Sequence, residues 1–154
     1  MRWFLIRACA GMTALFFAAT SGQSTRADDK TLTRALMAFG VTLQAGLSLK
    51  DLEVARVEIT ARAQAGPAPP AAVTDELAAI GTVQDLWDVI IHGWTCRNFD
   101  QHEVVCIASL TNLTAALGLK LDDRSTPETI LRDALAVVAT KNERSLAALG
   151  AMEK

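Results

Sequence analysis

The chain has 154 residues, and its 15 lysines and arginines against 17 aspartates and glutamates give a net charge of −2. That is one domain's worth of chain, enough to bury roughly two thirds of the surface its unfolded form would expose. The basic residues stand singly, with no Lys/Arg run and no interleaved aromatics. They lack the footprint of phosphate-backbone binding, which argues against nucleic acid as a partner.

Arg2 and Arg7 precede an apolar, small-residue run from Ala8 to Ala19, and the small-x-small triplet Thr25, Arg26, Ala27 comes just before Asp28. This order of charged, apolar and cleavable parts reads as a secretory signal over residues 1–27, leaving a helical domain at 28–154 and a periplasmic or secreted location. The apolar run falls well short of the roughly 20 residues a bilayer span requires, and no later segment approaches that length. Arg7 interrupts the segment before Cys9, so a lipid anchor is not expected there and Cys9 leaves with the signal. Cleavage removes three arginines and no acid, making the exported chain more acidic.

From Thr31, Leu32, Leu36, Phe39, Leu43 and Leu47 recur at steps of three and four, the spacing of one helix face, with Gly46 as a stop. Ser48 in "SLKD" is placed to cap a second helix, and Asp51 sits near its positive end. The following "LEVARVEITARAQ" is read as helix, although the β-branched Val54, Val57, Ile59 and Thr60 would also suit a strand. "GPAPPAA", residues 66–72, is an extended connector whose prolines remove amide donors.

Beyond it, Thr74, Asp75 and Glu76 look like a helix start, with a stop and restart at Gly81 and Thr82. Val83, Leu86, Trp87 and Ile90 then form a buried stripe that Gly93 ends. The next helix is expected from Gln101 to Leu117, with Val105, Leu110, Leu113 and Leu117 inward and Gly118 as its stop. Thr126 caps the last helix, and Pro127 takes the first helical position, where a missing amide hydrogen costs nothing. The expected architecture is an all-α, single-domain bundle of five or six short helices with one disulfide. Its predicted core contains Leu36, Phe39, Leu86, Ile90, Leu110, Leu113, Leu131 and Leu135.

The segment "HGWTCRNFDQHEVVC" carries His-x-x-x-Cys twice. His92, Cys96, His102 and Cys106 have the composition of a tetrahedral zinc site. A straight helix would hold the two cysteines roughly 15 Å apart, so either a metal or a disulfide requires a bend. Asp100 as cap, Glu103 three residues later, and Phe99 with Val104 as a hydrophobic staple place a helix start after Asp100. That puts Cys96 in a loop and Cys106 in the second helical turn. In an oxidising compartment a Cys96–Cys106 disulfide is the expected outcome, with no cofactor, and zinc on the four residues is the alternative. The short closed loop would stabilise by about 2.5 to 3 kcal/mol. Redox catalysis favours Cys-x-x-Cys at a helix start, a different spacing from the one present.

Nine residues between cysteines resemble the motif of helical-hairpin proteins of the mitochondrial intermembrane space, which carry two such pairs where this chain has one. "WTCRNF", Trp94 to Phe99, is similar to the segment around the first cysteine of the HdeA family of periplasmic acid-stress chaperones, which are small, exported, all-helical proteins with one disulfide. The likeness covers six residues, since that family's second cysteine lies much further along the chain. What it implies is chaperone-type binding.

Trp87 and Trp94 read as core residues, Asn112 as a mid-helix glycosylation match, and Asp122 and Asp123 as a solvated loop. No Gly-x-Ser-x-Gly, His-Glu-x-x-His or glycine-rich phosphate loop is present. The functional expectation is therefore a non-enzymatic binding protein acting on another exported protein, as an inhibitor, immunity or chaperone-type partner. The alternatives are a metal-binding protein and an enzyme whose site is assembled from dispersed residues.

Overall fold

The structure is a computed structural model that describes residues 21–66, 68–96, 100–122 and 125–152, with side chains over 29–66, 68–91, 107–122 and 125–152. It is all-helical: α1 (Ser21–Ala45), α2 (Leu49–Ala65), α3 (Ala71–Cys96), α4 (Asp100–Ala116) and α5 (Pro127–Met152), with no strand among the described residues. α1 packs on α2, α2 on α3, α3 on α5, and α5 returns to α1, so four helices close a ring around one core. α4 lies against α3.

Local chemistry sets most of the boundaries. Gly46 ends α1 in the left-handed region at φ 85°, and Gly118 follows α4 at φ 73°, conformations glycine adopts without a Cβ penalty. At α2, Ser48 Oγ accepts the Asp51 amide at 3.2 Å and Asp51 Oδ2 accepts the Ser48 amide at 2.9 Å, a complete capping box. At α5, Thr126 Oγ1 accepts the Thr129 amide at 3.3 Å, with Pro127 opening the helix as expected.

Two expected breaks are absent. α3 runs unbroken through Gly81 and Gly93 to Cys96, which removes the sixth helix and makes Cys96 the last helical residue instead of a loop residue. Gly81 answers to packing: a Cβ there would stand 3.1 Å from the guanidinium carbon of Arg56, which lies across the helix. Thr82 meanwhile bonds back to Ala78 O at 3.0 Å, within the helix. The connector is also shorter than expected, because α3 already includes Ala71 and Ala72. α5 continues past Leu149 to Met152.

The core gathers Leu32, Leu36 and Phe39 of α1, Leu52 and Ile59 of α2, Val73, Ile80, Val83 and Leu86 of α3, and Ile130, Ala134, Val138 and Leu149 of α5. Of the eight residues predicted for it, Leu36, Phe39 and Leu86 are buried. Ile90, Leu110, Leu113, Leu131 and Leu135 are half-buried and packed against its edge. Trp87 is also half-buried.

Candidate functional site

The four residues of the double His-x-x-x-Cys pattern fall on two helices. His92 and Cys96 belong to the last turns of α3, and His102 and Cys106 to the first turns of α4. α3 ends at Cys96 and α4 begins at Asp100, and residues 97–99 between them, where the bend was expected, lie outside the described residues. The side chains of His92, Cys96, His102 and Cys106, like Trp94, lie outside the described residues, and so do the disulfide and the zinc ligand set. Among the described residues no three His, Cys, Asp or Glu side chains gather as a metal site would require.

What the described surface offers instead is α2. Successive residues turn by about 100° around a helix, so residues three and four apart share a face. Leu52, Ile59 and Ala63 are buried on the inner side of α2. Val54, Val57, Ala61 and Ala65 line up on the opposite side, with Val54 58% and Val57 66% exposed. A surface helix ordinarily keeps one apolar stripe and turns polar residues outward, whereas α2 carries apolar residues on both sides. The outer stripe is edged by Lys50, Glu53, Glu58 and Arg62, the last two an exposed ion pair at 3.9 Å.

This stripe borders an open groove of about 690 Å³ between α2 and α3. Arg56 bridges the two helices there, its Nη1 donating to Gln84 Oε1 at 2.6 Å, and Glu53, Thr60, Gln64, Asp85 and Asp88 complete the walls. A smaller groove of about 220 Å³ on the other flank lies between α1 and α2, bordered by Ala38, Thr42 and Val54. The arrangement can bind: the apolar stripe itself lines an open groove of about 640 Å³, with charges of both signs along its edges. Helical periodicity could have shown this, because the β-branched residues that suggested a strand fall onto two opposite helix faces once the segment is wound.

A second unusual feature lies inside the ring. Glu76, expected as a helix-start acid, is instead 0% exposed at the centre of the bundle. Asn142 of α5, also buried, donates through Nδ2 to Glu76 Oε1 at 2.9 Å and to the Leu36 carbonyl of α1 at 3.0 Å, tying three helices together. Ser145 stands close enough to influence ionisation of the Glu76 carboxyl but outside hydrogen-bonding geometry. Both Ser145 Oγ and Glu76 Oε2 are buried without a partner. Burial pushes the Glu76 carboxyl above the ordinary glutamate range, against the lowering influence of Ser145 and then Asn142. The signal for this cluster is present in the sequence: Glu76 holds a stripe position between Val73 and Ile80, and Asn142 and Ser145 continue the stripe of Ala134 and Val138.

No protein family, curated protein or solved structure matches the chain. No helix among the described residues is long and apolar enough to cross a membrane.

Proposed function

We propose that the protein works by binding another exported protein, as an inhibitor, immunity or chaperone-type partner, and that the outward face of α2 is its docking surface. The observation that carries this reading is the two-sided apolar character of α2. Val54 and Val57 contribute nothing to the core, yet they form with Ala61 and Ala65 a continuous stripe along the helix. An apolar stripe edged by mixed charge suits a protein surface, where the buried centre supplies affinity and the rim orientation. The partner should present an apolar strip of its own, flanked by both signs of charge.

Val57→Glu tests this, because an exposed position can take a charge without disturbing the fold. A stoichiometric partner retained from the exported fraction by the native protein should bind the variant at least about tenfold more weakly, with the circular dichroism spectrum unchanged. Equal retention by both proteins would overturn the assignment of the surface.

Export and the disulfide belong to the same reading. The mature protein should begin at Asp28, which N-terminal sequencing reads directly. Cys96 and Cys106 should be joined, making the oxidised chain about two mass units lighter than the reduced one, without free thiol in denaturant and indifferent to chelator. Two titratable thiols in freshly isolated protein would refute the disulfide, and thiols that appear only after chelation would point to zinc instead.

A further inference from the structure

We propose that Glu76 is a proton-operated latch at the junction of α1, α3 and α5: carrying a proton, its carboxyl lets the three helices close over it, and losing the proton loosens α1 from the ring. The inference goes beyond the binding reading and does not depend on it.

The geometry supplies the device. Glu76 is fully buried, and only one of its two carboxyl oxygens has a hydrogen-bond partner. A carboxylate in such a place keeps its charge only if several donors or a cation compensate it. The surroundings do not provide these. α1 presents the Leu36 carbonyl, an acceptor, and α5 presents Asn142 and Ser145. The residues α2 buries are Leu52, Ile59 and Ala63, none of them titratable. Thr114, the buried polar residue of α4 among the described residues, is spent on the Leu110 carbonyl at 2.8 Å. The influences on the acidity of Glu76 are burial, then Ser145, then Asn142, with no charged side chain among the described residues contributing.

A neutral carboxyl changes this arrangement. Protonation removes the buried charge, so that Glu76 Oε2 and Ser145 Oγ, both without a partner, remain only as neutral polar groups, whose burial costs far less than that of an ionised carboxylate. Asn142 remains on Oε1 and on Leu36 O, and α1 stays fastened. Ionisation places an uncompensated charge beneath α1, which relieves it by admitting water. α1 is the helix to yield, because among the described residues its hydrogen bond to the cluster is the one Asn142 makes to Leu36 O, and its main packing is on α2 and α5.

The sign follows from linkage. A carboxyl whose pKa is raised by folding contributes stability that is complete below the unfolded value of about 4.3, and that contribution is lost as the pH rises through the folded value. The full chain and Glu76→Gln should therefore be compared by hydrogen exchange between about pH 5 and pH 8, after correction for intrinsic exchange rates. In the native chain, protection of α1 amides should fall at least about tenfold relative to α4 amides across that range, and in Glu76→Gln the ratio should stay constant. Parallel behaviour of the two proteins would overturn the latch. Should the glutamine variant fail to fold, carbon-13 titration of the native Glu76 carboxyl decides the matter. A midpoint above the ordinary glutamate range, accompanied by shifts in α1 resonances, supports the latch, whereas an ordinary midpoint refutes it.

Discussion

A methyl group added at Gly40 would stand 2.8 Å from Asn142 Oδ1, inside the closest approach that real side chains tolerate. At Gly81 the nearest obstacle is the guanidinium of Arg56 at 3.1 Å. The two contacts look alike and differ in consequence. Asn142 is buried and pinned by two hydrogen bonds, so moving it breaks the bridge between α1 and α3, while Arg56 is exposed and can swing aside. Gly40→Ala should therefore destabilise by about 1 to 3 kcal/mol despite alanine's better helix propensity. Gly81→Ala should be within about 0.5 kcal/mol of neutral or slightly stabilising, since the propensity gain offsets one exposed hydrogen bond. Denaturant unfolding of both variants measures the contrast. Leu36→Ala, at a fully buried position, should cost about 2 to 5 kcal/mol, and Leu110→Ala less, because Leu110 is only half-buried.

At the scale of the elements, helix ends with a chemical signature were legible and glycines inside helices were not. Ser48, Thr126, Pro127, Gly46 and Gly118 each act through their immediate neighbours in sequence, which is why reading along the chain located them. Gly81 and Gly93 carry the same local signal without ending a helix, and at Gly81 the reason is a residue 25 positions away, Arg56, which no local pattern reveals. The outer face of α2 becomes legible only when the segment is wound as a helix, because its apolar stripe lies opposite the buried one and the two together cancel a one-sided pattern. Ser48→Ala should lower the melting temperature and raise the exchange rates of the first α2 turn, since it removes the side-chain half of the capping box, in which Ser48 Oγ accepts the Asp51 amide, together with the Ser48 Oγ–Asp51 Oδ2 bond. The hydrogen bonds from Ser48, first through its side chain and then its backbone, hold the Asp51 carboxyl below its ordinary range. That contribution is present above the unfolded aspartate value and is lost as the pH falls through the folded one, the opposite direction from Glu76. In an acid titration, Asp51→Asn should therefore flatten the low-pH decline of stability, and Glu76→Gln the decline toward alkaline pH.

For the whole molecule, the all-helical class followed from stripes and caps, but the ring did not, because ring closure depends on which helices meet. The acid at its centre was misread for the same reason: next to Thr74 and Asp75 it resembles a solvated first turn, and only the approach of α5 makes it interior. Neighbouring helices, α1 with α2 and α2 with α3, meet through short stretches of chain. The seam between α1 and α5 is different, since the Leu36–Asn142 bond joins residues 106 positions apart. The entropy of closing a loop grows with its length, so contacts of this kind form late and give way early. Substitutions at the seam, Gly40→Ala among them, should thus accelerate unfolding while leaving the refolding rate nearly unchanged, whereas Leu52→Ala within the α1–α2 pair should slow refolding. The bond that makes the bundle a closed ring is then also its clock: the lifetime of the native state is set where α1 meets α5.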